Sequence, residues 1–410
     1  MKNQTINYRR LFIFLLLGFS SGLPLALTGS TLQAWFTTSG ISIVTIGALS
    51  LVGQPYVYKF LWAPLLDRYI PPFLGRRRGW LMIIQFALLL SIIAMAFGDP
   101  LNHAGVISIL ALLVAFFSAS QDIAVDAYRT EATPAEERGL SSAFYSGGYR
   151  IAMLVSGGLG LILAGLIGWQ ETYLIMSALI IIGLIATWFG EEPVLEKKPP
   201  TTLYAAVVDP FREFLSRKSA WAFLLVIVLY KFGDALSLSL TTPFLIRGLG
   251  FSLITIGSVN KLVGLIGSMT GILLGGAIMI RLSLYRSLFL FGILQMVAIL
   301  MLMILAIVGK NYVLLVVTLF IDNLFNGMGT AALMALTMSL CDQHYTATQY
   351  ALLSAIASVA RVFIGPIAGV MVEHLGWPNF FAWSLVVCVP GLIALWWVRH
   401  RIGTLSLQAA

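Results

Sequence analysis

Histidine and cysteine are scarce in this chain, with four and two among 410 residues. Cys341 and Cys388 stand far apart and form no C-x-x-C pair, which removes a disulfide framework and a thiolate metal site. His103, His344, His374 and His400 have no nearby partner pattern such as H-x-x-x-D, so no metal or acid–base constellation of a membrane enzyme is legible. Charge is also thin. Only 10% of residues are Asp, Glu, Lys or Arg, against about 25% in a soluble domain. That shortage excludes an ordinary water-soluble surface.

In its place stand long apolar runs. Hydrophobic residues make up 59% of the chain, and mean hydropathy is +0.93. Runs of 18 or more apolar residues recur from end to end, and each is a candidate transmembrane helix. The first, LFIFLLLGF, follows MKNQTINYRR and continues past Trp35 without a small-x-small cleavage site, so it reads as a retained helix. Twelve spans are predicted: 11–35, 43–65, 79–97, 104–127, 139–165 and 168–189, then 220–246, 252–279, 284–308, 311–339, 347–372 and 377–398. The expected organisation is a six-helix half over 1–190, a cytoplasmic linker over 191–219 and a second six-helix half over 220–410. Within the linker, VVDPFREFL can start a short surface helix, with Asp209 as N-cap and Pro210 at the first helical position.

The net charge of +8 calls for no nucleic acid. Eighteen of the 25 basic residues fall on one side of the predicted membrane, two on the other and five within spans. By the positive-inside rule, the basic side and both termini are cytoplasmic.

An internal repeat divides the chain. GISIVTIG (Gly40–Gly47) returns as GFSLITIG (Gly250–Gly257), 210 residues later. Arg150 and Arg361 are 211 apart, as are Gly22 and Gly233, each pair in corresponding helices. Two parallel six-helix repeats joined by a linker is the organisation of the major facilitator fold, which binds its solute near the membrane midplane.

Nine ionisable residues lie in or at the edge of spans: Lys59, Asp122, Asp126, Arg150, Lys231, Asp234, Lys261, Asp322 and Arg361. Facing lipid, they would together cost on the order of 25 kcal/mol. They therefore belong to a polar interior, and the pattern marks a transport pathway. In SASQDIAVDAYRTE, Ser118, Asp122, Asp126 and Arg129 share one helix face at spacings of four, four and three, with Gln121 beside them. A carboxyl on such a stripe can load and release a proton as access alternates, and Asp122 is the deeper one; a structural pair with Arg150 or a lysine is the other reading. Lys231 and Asp234, three apart, can satisfy each other. Five basic residues against four acidic ones bias the interior towards an anionic solute. Trp35, Tyr56, Trp62, Tyr149 and Tyr230 offer ring faces for sugars, or belong to packing and interfacial belts.

APLLDRYIPPFLGRRRGW resembles the major facilitator signature between spans two and three. Asp67, Arg68, Gly75, Arg76, Arg77 and Arg78 match; Ala63 replaces a glycine, and YIPPFL is inserted. The resemblance implies a cytoplasmic gate at Asp67, Arg68 and Arg76, with Arg129 as the basic partner. Longer segments are more specific. GFSSGLPLALTGSTLQAW, SLVGQPYVYKFLWAPLLDRY, PPFLGRRRGW, SASQDIAVDA, PAEERG, VLYKFGDALSLSLTTPFLIRGLGF and TATQYALLSA resemble the AmpG family of muropeptide permeases over nearly the whole chain. That resemblance implies import of anhydromuropeptides, N-acetylglucosaminyl-anhydro-N-acetylmuramyl peptides, across the bacterial inner membrane. It implies proton drive without a cofactor or metal, a role in peptidoglycan recycling and β-lactamase induction, and work as a monomer. The matching positions are Lys59, Gln121, Asp122, Arg150, Lys231, Asp234, Asn260, Lys261 and Arg361, with Asp322 in place of a glutamate in some relatives. Trp35 and Tyr56 join them as candidate sugar contacts. Proton coupling is assigned to Asp122, Asp234 and Asp322. Some members carry extra helices after the twelfth, where this chain ends in RIGTLSLQAA, and transport is expected to do without them. The alternative is a related symporter for another anionic solute, such as acetyl-CoA.

Overall fold

The computed structural model describes residues 7–133, 138–193, 212–217, 219–340 and 346–402, and within these the side chains at 64, 67, 138–140, 142–143, 261, 346–351 and 354 lie outside the described set, Asp67 and Lys261 among them. Asp209 and Pro210 lie outside the described residues too, while residues 212–216 are helical. Every regular element among the described residues is a helix.

Residues group into two compact units, Met1–Ile41 with Val52–Thr201, and Ser42–Leu51 with Thr202–Ala410. The first contains α1 (Tyr8–Thr28), α2 (Ser30–Thr38), α4 (Gln54–Tyr58), α5 (Ala63–Arg68), α6 (Arg76–Ala96), α7 (Pro100–Ala132), α8 (Arg138–Leu154), α9 (Gly160–Ile167), α10 (Trp169–Leu179) and α11 (Ile181–Phe189). The second contains α3 (Ile43–Ala48), α12 (Ala220–Leu238), α13 (Lys261–Arg281), α14 (Leu284–Val308), α15 (Tyr312–Ser339), α16 (Thr346–Phe363) and α17 (Gly365–Trp397).

Among the described residues, ten helical runs are long and apolar enough to cross a membrane, where the sequence predicts twelve spans. The difference has two local causes. The expected second span is a chain of short pieces, with 3-10 turns at Leu49–Gly53 and Lys59–Leu61 interrupting the α-helices. The last run, Ala355–Trp397, covers 43 residues. It contains Gly376 at φ +74°, a left-handed value at which an α-helix cannot continue straight.

The repeat has a physical basis at its most similar segment. Gly40 (φ +83°) and Gly250 (φ +67°) both turn the backbone through the left-handed region. Two residues later a serine caps the next helix. Ser42 Oγ accepts from Thr45 N–H at 3.2 Å, and Ser252 Oγ accepts from Thr255 N–H at 3.2 Å. Helix N-termini leave orphan amides that a serine oxygen satisfies, so the same octapeptide builds the same corner twice.

In the first unit, α1 and α8 approach to backbone contact. A Cβ on Gly22 would strike the Tyr149 carbonyl oxygen, and one on Gly148 the Leu15 carbonyl oxygen. Small residues permit this in lipid, where dispersion contacts carry helix association. Phe14, Leu17, Leu81, Val125 and Tyr128 form the apolar cluster joining α1, α6 and α7. In the second unit, α12 packs on α16 and α17, and α15 packs on α13 and α14. Its core centres on Ile227, Leu288, Phe291, Ala332, Leu336 and Leu395. Residues 42–51 close against that unit, with Ser50 Oγ donating to the Val362 carbonyl at 2.7 Å.

Candidate functional site

Polar side chains collect at three places, two in the first unit and one in the second. The clearest is a cavity of about 470 Å³ in the second unit. Its wall includes Lys231 and Asp234 on α12, Asn326 and Thr330 on α15, and Ser358 and Arg361 on α16. Lys231 Nζ donates to Asp234 Oδ2 at 3.2 Å, Thr330 Oγ1 at 3.2 Å and Asn326 Oδ1 at 3.4 Å. Asn326 Nδ2 donates to both Asp234 oxygens at 2.8 Å. The lysine and the aspartate therefore do satisfy each other, but through a four-residue network across two helices. Arg361 faces the cavity with no acidic partner among the described residues. Asp322 is only 5% exposed. It sits one turn before Asn326, within electrostatic reach of Asp234 and Lys231, without a hydrogen bond of its own among the described residues.

The first unit holds the stripe on α7. Asp122 Oδ1, Tyr56 Oη and Ser118 Oγ are buried without a hydrogen-bond partner among the described residues. The Tyr56 hydroxyl lies beside Ser118 and Thr28 and in the field of Asp122, yet the geometry falls short of a bond. Asp122 feels Lys59 and Asp126, and among the described residues no ion pair joins it to Arg150, which is exposed. Of the two cations that the structural-pair reading allowed, a lysine and not Arg150 is the nearer: the field of Lys59, on the 3-10 turn after α4, reaches Asp122. Gln121 is packed rather than open. It is 0% exposed, and its Nε2 donates to Ser20 and Ser21 Oγ at 3.1 and 3.2 Å. Trp35 is also buried, stacked on Trp169 (5.9 Å) and tilted against Tyr173 (4.9 Å). The second unit repeats that triplet with Phe244 on Trp377 (5.1 Å) and Phe381 (4.9 Å). Such a placement is a helix-packing knot and leaves Trp35 no open ring face. Asn260 ends the π-turn Ile256–Asn260 and does not line the cavity. Asp67 and Lys261, expected at the gate and in the binding site, lie outside the described side chains.

The third polar place is the arginine cluster at the start of α6. Arg76 Nη2 reaches Glu131 Oε1 at 2.9 Å, and Arg77 grips the same carboxylate through Nε at 2.9 Å and Nη2 at 2.5 Å. Both arginines are almost fully buried. Arg78 donates to the Thr187 and Trp188 carbonyls at 2.9 and 2.5 Å, closing the open end of α11. Glu192 returns the favour at the N-terminus of α6, accepting from the amides of Arg77 (2.8 Å) and Arg78 (3.0 Å), where the helix dipole welcomes a carboxylate. Arg129, expected opposite Asp67, pairs with Asp126 at 3.3 Å and lies over the Tyr145 ring at 4.4 Å. Arg68, at the end of α5, is exposed.

Sequence reasoning missed Glu131, Glu192, Asn326 and Thr330. The last two had a signal: with Asp322 they form a D-x-x-x-N-x-x-x-T stripe on one helix face.

Comparison with known proteins agrees with this architecture. Residues 10–365 match the model of the Major Facilitator Superfamily. The chain is 52% identical to the anhydromuropeptide permease of Escherichia coli K12, covering 95% of this chain and 80% of that one. It is 32% identical to putative transporter AmpG 1 of Rickettsia conorii, over 97% of this chain and 100% of the relative. The crystal structure of a D-xylose–proton symporter superposes with a TM-score of 0.72 at 14% identity, covering 96% of this chain and 98% of that one. The fold and the family are those of membrane-embedded transporters, not enzymes. The chain belongs to the AmpG muropeptide permease family of the major facilitator superfamily.

Proposed function

We propose that the protein imports anhydromuropeptides from the periplasm to the cytoplasm across the bacterial inner membrane, as a monomer driven by the proton gradient. Twelve crossings in two six-helix halves, with cytoplasmic termini, form the frame of this reading. The observation that carries it is the cavity around Lys231 and Arg361. Its two cations suit the carboxylates of a peptide stem, and Asn326, Thr330 and Ser358 offer the hydrogen bonds that sugar hydroxyls and N-acetyl groups require. Proton exchange falls to carboxyls without a direct ion pair among the described residues, Asp122 in one unit and Asp322 in the other. Asp234, bound on both oxygens, holds Lys231 in place. Asp67, Arg68 and Arg129 act at the cytoplasmic gate, and Lys59, Arg150 and Lys261 add to the positive interior.

Uptake of labelled anhydromuropeptide into right-side-out vesicles, with and without an imposed proton gradient, tests the reading. Wild type is expected to concentrate label only with the gradient, and Asp122→Asn to bind without concentrating it. A mutant that still concentrates label moves the coupling to Asp322. Because Lys231 and Arg361 would also attract other anions, competition by acetyl-CoA is the control. Displacement by acetyl-CoA and not by unlabelled muropeptide would replace the substrate.

A further inference from the structure

The YIPPFL insertion interrupts the signature loop and has no part in the transport reading. Tyr69 and Ile70 are 57% and 63% exposed, which is unusual for such residues beside a cluster of arginines. The loop ends in Leu74 at φ +58°, a left-handed value that costs a leucine energy and persists only where neighbours impose it. The imposing contacts are present: Trp80 Nε1 donates to the Tyr69 carbonyl at 2.7 Å, and Glu192 fixes the amides just beyond Gly75. The strained turn delivers Phe73 to the rim of a groove of about 630 Å³ between α6 and α11. All ten lining residues are apolar, among them Phe86, Leu90, Ile185, Trp188 and Phe189. At the same end, guanidinium groups crowd the backbone of the groove. Arg78 holds the Trp188 carbonyl and Arg9 Nη2 the Phe189 carbonyl at 3.1 Å, while Arg9 Nη1 also meets Glu191 at 3.8 Å in an exposed, solvent-screened pair with which a headgroup phosphate competes. Arg68 is exposed at the head of the loop.

We infer that this groove seats one acyl chain of an anionic phospholipid, with Tyr69 and Ile70 lodged at the membrane surface and Arg9, Arg68 and Arg78 reading the headgroup phosphate. An apolar slot closed at one end by cations complements a lipid that is apolar along its tail and negative at its head. Basic pockets between membrane helices bind such headgroups for this reason. The occupant belongs to the leaflet on the arginine-rich side.

The test uses the full chain purified in mild detergent and spin-labelled phosphatidylglycerol or phosphatidylcholine as probe, each labelled on the acyl chain. Wild type is expected to immobilise phosphatidylglycerol in preference to phosphatidylcholine. Arg68→Gln should lower that preference about fivefold, the value of one arginine near a phosphate. Ala87→Trp, which fills the groove and leaves the arginines untouched, should abolish the immobilised signal for both lipids. Equal immobilisation of the two lipids by wild type, or a signal unchanged by Ala87→Trp in a protein that still unfolds at the wild-type temperature, overturns the inference. Vesicle uptake of wild type is read in parallel: wild type that immobilises phosphatidylglycerol but takes up no muropeptide counts against the transport reading and not against this one, and Arg68→Gln is judged on lipid binding alone because Arg68 also belongs to the proposed gate.

Discussion

Replacing Lys231 by methionine removes the charge and keeps the stem. Three hydrogen bonds go with it, to Asp234, Asn326 and Thr330. The Lys231 and Asp234 side chains are 16% and 10% exposed, so the aspartate is left charged in a nearly dry place. Breaking a buried pair from one side costs about 3–5 kcal/mol. Here Asn326 keeps both of its 2.8 Å bonds to the carboxylate, and the cavity admits water, so about 2 kcal/mol is expected. That is about a 30-fold shift in the unfolding equilibrium. Asp234→Leu should cost a similar amount by stranding the ammonium. The double variant, with neither charge, should be more stable than the sum of the two losses by about 1–2 kcal/mol. Reversible unfolding by denaturing detergent, read by circular dichroism, gives the cycle. Additive losses would refute the coupling and reduce the pair to neighbours. Recovery of stability without recovery of muropeptide uptake is also expected under the proposed function, which makes Lys231 a cation for the substrate and removes it either way.

Other expectations rest on separate contacts. Glu131→Gln should destabilise the first unit by about 2 kcal/mol, since two buried guanidinium groups share that carboxylate; the same unfolding assay reads it. Gly22→Val should cost about 3 kcal/mol or prevent folding, because its Cβ meets backbone rather than a yielding side chain. Ser252→Ala should cost about 1 kcal/mol, as the loss of one helix cap does, and Ser42→Ala should match it. Trp169→Ala should cost about 3 kcal/mol by opening the knot with Trp35, and leave the half-saturation for muropeptide unchanged in vesicle uptake. A large rise in half-saturation would restore Trp35 and its neighbours to the binding site.

Much of this was legible in the sequence, and the reason varies from residue to residue. The GISIVTIG and GFSLITIG corners were readable because glycine, serine and threonine act locally, within four residues. The stripe Ser118, Asp122, Asp126 followed from helical periodicity alone. The ten long apolar runs announced themselves by composition, whereas the break-up of 43–65 into short turns did not, since hydropathy is blind to backbone angles. Arg76 and Arg77 were visible as a charge cluster, but their partner was not: Glu131 lies 54 residues from Arg77 and no spacing rule joins them. Trp35 stayed open between two readings for the same reason. An aromatic ring in a membrane helix looks alike whether it meets a sugar or another tryptophan, and only the approach of Trp169 decides.

The closure of residues 42–51 on the second unit has a temporal side. Ser50 and its acceptor at Val362 are 312 residues apart. At about 5–20 residues per second, a ribosome needs on the order of 15–60 s to make the chain between them. Through that interval Gly47 on α3 and Ser50 on the 3-10 turn after it wait without their mate, while helices made after them are already inserted. The second unit is therefore unfinished until the last stretch of the chain emerges, and a quality-control protease would find α3 the most persistent opening on the nascent molecule.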